Sequence, residues 1–357
     1  EAAAELGQVT ARMPPADTPT GQFLSQSLNG FIGLLNGDMA RPVRALQDAM
    51  KLAAANDRPD LIVRAGHLAL YLGDDDLAYR LNAQTAAAAR AAGAVGDLLF
   101  ALQRLALAEI TTGRWAAAEV SADEAERLSR ETSQPGLCAV SLGWLAVLAV
   151  LTGDEERAQS LAVKTEELAS AHALGVFDAQ VRDALHWARG LRELTGGNPE
   201  SAVTWFSAMS HPAVGGMAAA LDRIEAAIRG GYRDEALEWL DRLDAFATHT
   251  GIASEQARVA HCRALLAEGE TARGLFEEAL TLHARSRRLF ERARTELAYG
   301  EFPRRARRRV EARTHLQAAL DRFEQLNARP WAERARLELR AAGRGPHASV
   351  TRRRSCS

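Results

Sequence analysis

Apolar residues recur at three- and four-residue spacing from Phe23 to Leu339, interrupted by short breaks that carry Gly, Asp, Asn or Pro. That period puts one apolar stripe on each of a long series of helices. No window alternates Val, Ile, Thr and aromatic residues between turn clusters, so no strand is expected. The breaks predict helix pairs over about 22–36 with 40–55, 59–72 with 75–92, 96–112 with 114–131, and 135–152 with 154–173. Four more pairs are expected over about 176–195 with 199–209, 214–229 with 232–249, 254–268 with 270–283, and 287–302 with 307–327. A last helix runs from about Pro330 to Ala342, with proline suited to its first turn.

The breaks within the pairs repeat in detail. With Gly37, Gly73, Gly113, Gly153, Gly197, Gly231, Gly269 and Arg307 as turn residues, a small residue stands seven positions upstream at Gly30, Gly66, Ala106, Ala146, Gly190, Cys262 and Gly300, and only Ile224 departs. Five positions downstream stand Ala78, Ala118, Ala158, Ala202, Ala236, Gly274 and Ala312, with Pro42 the exception. Two close-packed helices need such positions, because each must admit its partner's backbone, and the turn residue must end a helix. Turn-to-turn spacing of about 34 to 44 residues fits tetratricopeptide-like (TPR-like) units. The expected fold is all-α: a right-handed superhelical solenoid of about eight TPR-like helix-turn-helix repeats with a C-terminal capping helix. Residues 1–21 read as a lead-in, 22–343 as the repeat domain and 344–357 as an unstructured tail. Ser207 to Gly216, rich in Ser, Gly, Pro and His, breaks the rhythm.

Composition narrows the function classes. Hydrophobic residues make up 47% and aromatics 6%, the profile of tightly packed helices. A net charge of −2 provides no field that would favour nucleic acid or an anionic membrane. No apolar run is read as reaching membrane-span length, and Cys138, Cys262 and Cys356 have no paired or metal-binding spacing, so a cytoplasmic protein is expected. Arg304, Arg305 and Arg308 belong to an arginine-rich turn that reads either as a solvated loop or as a contact for a partner or adjoining domain. No phosphate-binding Gly-Lys loop, dinucleotide fingerprint or zinc-binding His pair occurs, so no enzyme activity, cofactor or metal is expected.

A solenoid presents a long concave surface that typically binds a partner. In TPR-like pairs the first helix lines it, and the inward positions fall about thirteen, ten, six and three residues before the turn. That register selects His67, Phe100, Gln103, Leu107, Val147, Trp187, Leu191, Glu225 and Arg263 as candidate ligand-binding residues. An apolar floor with a few orienting polar groups suits a small molecule. The competing reading is that these side chains pack against neighbouring repeats or fill a tight superhelix.

The most specific text lies near the end: Arg287-Arg288-Leu289-Phe290-Glu291-Arg292-Ala293-Arg294-Thr295-Glu296-Leu297-Ala298-Tyr299-Gly300-Glu301, then Arg307 to Arg313, Leu320-Asp321-Arg322-Phe323 and Arg329-Pro330-Trp331-Ala332-Glu333-Arg334-Ala335. This resembles the end of the helical-repeat region in large ATP-binding regulators of the LuxR type. The resemblance implies a sensor and interaction domain that responds to a small-molecule effector, or to a protein or peptide partner, and passes the signal to its neighbours; a change in superhelix curvature or in oligomer contacts is the means expected of a groove-bound effector. In that family the repeat region stands between a nucleotide-binding switch module and a helix-turn-helix DNA-binding domain. Neither of those two domains has a counterpart in this sequence, and no family motif assigns the effector's contacts.

Overall fold

The computed structural model describes residues 17–35, 38–56, 59–210, 214–305 and 309–343. Among them eighteen α-helices and no strand occur. In chain order the first pairs are α1 (Pro19–Leu35) with α2 (Ala40–Asn56), α3 (Pro59–Tyr71) with α4 (Asp75–Ala92), α5 (Val95–Thr112) with α6 (Trp115–Glu131), and α7 (Pro135–Thr152) with α8 (Glu155–Ala171). A 3-10 turn, Gly175–Phe177, leads into α9 (Asp178–Thr195), which pairs with α10 (Pro199–Ser207). Then come α11 (Val214–Ala218) and α12 (Ala220–Gly230) with α13 (Arg233–Thr250), α14 (Ala253–Leu266) with α15 (Gly269–His283), and α16 (Leu289–Arg305) with α17 (Arg309–Gln325). Helix α18 (Arg329–Gly343) closes the series.

The turn chemistry follows from local residue type. At Gly153 the chain takes φ 74, and the Asp154 amide donates to the Ala149 carbonyl at 2.8 Å while the Asp154 side chain accepts from the Arg157 amide at 3.1 Å. One turn thus ends α7 and caps α8. The small residues before the turns have the packing role the repeat implies. A Cβ on Gly66 would lie 2.7 Å from Asn82 Oδ1, on Gly190 2.6 Å from Phe206, and on Gly300 2.6 Å from Leu316, each in the second helix of the same pair. Gly274 differs: a Cβ there meets nothing within 4 Å. The turns at Gly37 and Arg307 lie outside the described residues.

One expected helix, 214–229, is broken. Helix α11 stops at Ala218 and α12 restarts at Ala220, and the freed carbonyls of Met217 and Ala218 both accept from Arg258 Nη2 at 2.9 Å. A second correction concerns α7. Among the described residues it is the one helix long and apolar enough to cross a membrane, with a mean hydropathy of 1.9, and 89% of it is buried inside the array. It packs against α5, α6, α8, α9 and α18, which explains why it is apolar on every face.

The array closes on itself. Helix α13 packs on α2, α11 on α3, α16 on α5 and α18 on α7. The turn glycines show where: Gly73 faces Glu255, Gly113 faces Leu326 and Leu289, and Gly153 faces Pro330 and Arg329. The last third of the chain therefore sits against the turns of pairs two to four.

Candidate functional site

Helix α3 buries Leu61, Ala65 and Leu68 in the core of the first repeats, and Leu72 just after it joins them. Its His67, Leu70 and Tyr71 line a cavity of about 320 Å³. The i, i+3, i+4, i+7 face of α5 brings Phe100, Gln103, Arg104 and Leu107 to the same space, and the 3-10 turn with the start of α9 adds Val176, Phe177, Ala179 and Gln180. Phe31 packs edge-on to Tyr71 at 4.7 Å, and Tyr71 edge-on to His67 at 5.0 Å, so the aromatic wall is braced from behind. At the rim, Val176 is 88% exposed.

Hydrogen bonds and burial fix the polar groups. Gln103 Nε2 donates to the Leu137 carbonyl at 2.6 Å, which ties α5 to α7. Arg104 Nη1 donates to the Val63 carbonyl at 3.1 Å, and its guanidinium lies 5.4 Å from the Phe100 ring centroid. Burial, reinforced by the nearby Arg64 charge, pulls Arg104 down to about 10. Burial and then the Arg104 charge lower His67 to about 3, so its imidazole is neutral, and its Nδ1 has no hydrogen-bond partner. Burial pushes the Tyr71 phenol up to about 12.

Four of the nine positions selected from sequence thus meet at one cavity: His67, Phe100, Gln103 and Leu107. The other five do not. Val147 and Leu191 are fully buried between helices. Trp187 is buried too, with Nε1 donating to Asp222 Oδ2 at 2.8 Å. Glu225 is enclosed by guanidiniums. Although burial would raise its carboxyl, Arg229, Arg294 and Arg334 hold it well below the usual range. Arg263 is on the surface, paired with Asp244 at 2.9 Å. Arg304 and Arg305 end α16 with side chains outside the described residues, and Arg308 lies wholly outside them. The register missed Arg104 and Tyr71, although each stands on the same helical face as a selected residue, four positions after Phe100 and His67.

The interior of the closed array is filled by charge. Arg288, just before α16, holds Asp75 through Nε at 2.6 Å, Glu255 through Nη2 at 2.9 Å and Glu291 through Nη1 at 3.2 Å. Arg258 pairs with Glu255 at 2.9 Å and Glu291 at 3.4 Å, and Arg294 pairs with Asp222 and Glu225. Beside them the Thr295 hydroxyl donates to the Glu291 carbonyl at 3.0 Å, so its oxygen accepts from His261 Nδ1 at 2.8 Å and His283 Nε2 at 3.1 Å. That assignment leaves His261 Nε2 and His283 Nδ1 as lone pairs, and both atoms lack partners. Burial lowers the two imidazoles to about 3 and about 4, which keeps them neutral. Among the described residues no group of three or more His, Cys, Asp or Glu is placed to hold a metal ion.

These features define a TPR-like helical-repeat solenoid, closed around a buried ionic axis, with a small aromatic cavity between its second, third and fifth pairs. No protein-family model matches the chain, and no curated protein matches it. Among solved structures, the Rap protein complexed with competence and sporulation factor is 15% identical, with a TM-score of 0.54 over 95% of this chain and 90% of that one. That likeness shows the fold. Yeast Tom70 (14% identity, TM-score 0.24, 95% and 92% covered) and the P58(IPK) TPR domain (13%, 0.21, 97% and 100%) align too loosely to bear on the argument.

Proposed function

We propose that the repeat region 22–343 is an effector-sensing and protein-interaction unit of a cytoplasmic transcriptional regulator of the LuxR type. The observation that carries this reading is the cavity between α3, α5 and α9, where aromatic and aliphatic walls surround a few fixed polar groups. The LuxR assignment draws on the Arg287 to Ala335 text, and it places the array next to a nucleotide-binding module and a DNA-binding domain in the full regulator. The reading assigns the array no catalysis, no cofactor, and no direct contact with nucleic acid or membrane.

Signalling follows from position. The cavity is walled by α3 and α5, and those helices also receive the closing contacts of α11 and α16. A ligand that draws α9 toward α3 and α5 alters the spacing at which those contacts fit, and it shifts the equilibrium by its differential affinity for the two spacings. Contacts between copies of the chain are a second place for such a change to be read.

A second reading is a scaffold that holds a protein or peptide at the same face. It is favoured by the similar fold of the Rap protein complexed with competence and sporulation factor. Native mass spectrometry of the protein from its own host, beside the Phe100→Ala variant, separates the two. A retained small molecule that the variant loses supports the sensor, and equal retention by both rules out this cavity. A ligand-free mass with a stoichiometric co-purifying protein favours the scaffold.

A further inference from the structure

The arginines buried on the axis of the array are compensated: Arg258, Arg288 and Arg294 each hold two or more carboxylates. Arg104 is not. Its side chain is largely buried, yet among the described residues its polar contacts are one carbonyl, that of Val63, and the face of Phe100. The charge that acts on it most strongly is a second cation, Arg64. A buried charge without a counter-charge is costly, and proteins ordinarily pair it. One bond to Val63 leaves most of the five guanidinium donors unused, in a planar fork that matches a carboxylate.

We propose that the cavity binds the carboxylate of a small apolar acid, with Arg104 as the anchoring cation. This deepens the sensor reading and rests on it. Arg104 is the one guanidinium among the cavity's lining residues, Arg64 standing on the exposed face of α3, and one cation at the wall favours a monocarboxylate over a phosphate dianion. The Tyr71 ring, Phe100, Leu107 and Phe177 supply the apolar walls for the body of the acid. At about 320 Å³ the space lies at the small end of ligand pockets, so the acid is compact. The His67 ring, neutral and part of the lining, adds a further wall and no competing charge.

The test is calorimetric titration of the full chain with phenylacetate and hexanoate, each beside its neutral amide. Both acids should bind at least about tenfold more tightly than their amides, and Arg104→Met should abolish that preference. The variant should also melt no lower than the wild type, because it removes a cation that has no counter-ion. Equal affinity of acid and amide, a preference that survives Arg104→Met, or no binding of either acid at millimolar concentration overturns the proposal. If Arg104→Met does not fold, the acid and amide comparison on the wild type still decides. Amide binding that equals acid binding and is lost in Phe100→Ala sinks the carboxylate anchor alone and leaves the effector site standing.

Discussion

Arg288→Met tests whether ring closure contributes to stability. Arg288 is 4% exposed and holds three carboxylates, one of them on Asp75, 213 residues away. Glu255 and Glu291 keep Arg258 when Arg288 is removed, but Asp75 is left with the Thr111 hydroxyl at 3.0 Å. Breaking one side of a buried ion pair costs about 3–5 kcal/mol, and the partial compensation by Arg258 puts the expected loss near ~3 kcal/mol. Burial already holds the Asp75 carboxyl above its usual range despite Arg288, and removing that guanidinium raises it further. A carboxyl whose folded value is raised binds its proton more tightly in the fold, so its contribution to stability falls as pH rises. The variant's loss should therefore be larger at pH 8 than at pH 5. Urea unfolding followed by tryptophan fluorescence at both pH values measures it, with Asp75→Asn and the double variant completing the cycle. Arg242→Met, which breaks an exposed pair with Glu238, serves as the control and should cost below about 0.5 kcal/mol. A loss for Arg288→Met of under about 1 kcal/mol at pH 8, with no pH dependence, would refute the reasoning.

Two further predictions address packing and acid sensitivity. Gly190→Ala should destabilise by about 1–3 kcal/mol because its Cβ meets Phe206 at 2.6 Å, whereas Gly274→Ala, with open space around it in α15, should stabilise by roughly 0.5–1 kcal/mol. Similar melting shifts for the two would contradict the packing account. His261 is held neutral in the fold with a value of about 3 against an ordinary 6.5, so the unfolded chain takes up a proton that the fold refuses. Stability is then lost as pH falls below about 6.5. His261→Asn keeps a donor toward Thr295 and should lessen that loss between pH 6.5 and 4, with His67 and His283 still contributing the remainder, and parallel pH profiles for variant and wild type would count against a neutral buried imidazole.

The sequence by itself determined the local architecture. The three- and four-residue apolar period marked the helices, the Gly-Asp turns marked where pairs bend, and Gly66, Gly190 and Gly300 marked where partner helices approach. These are legible because each depends on residues within one or two helical turns. The cavity was half legible: the inward register reached His67, Phe100, Gln103 and Leu107, and it passed over Arg104 and Tyr71 because each stands one residue beyond an assumed inward position, after Gln103 and Leu70. What only the tertiary structure decided is the closure. Small rotations between successive pairs add up until α14 and α16 meet the turns at Gly73 and Gly113, and no local pattern encodes that sum. Packing of successive pairs buried Trp187, and the return of the last helices buried Glu225 and Arg288, so residues with the composition of a groove or a solvated helix became the ionic axis. A charge is stable there only because opposite charges from helices distant in sequence are brought within hydrogen-bond reach.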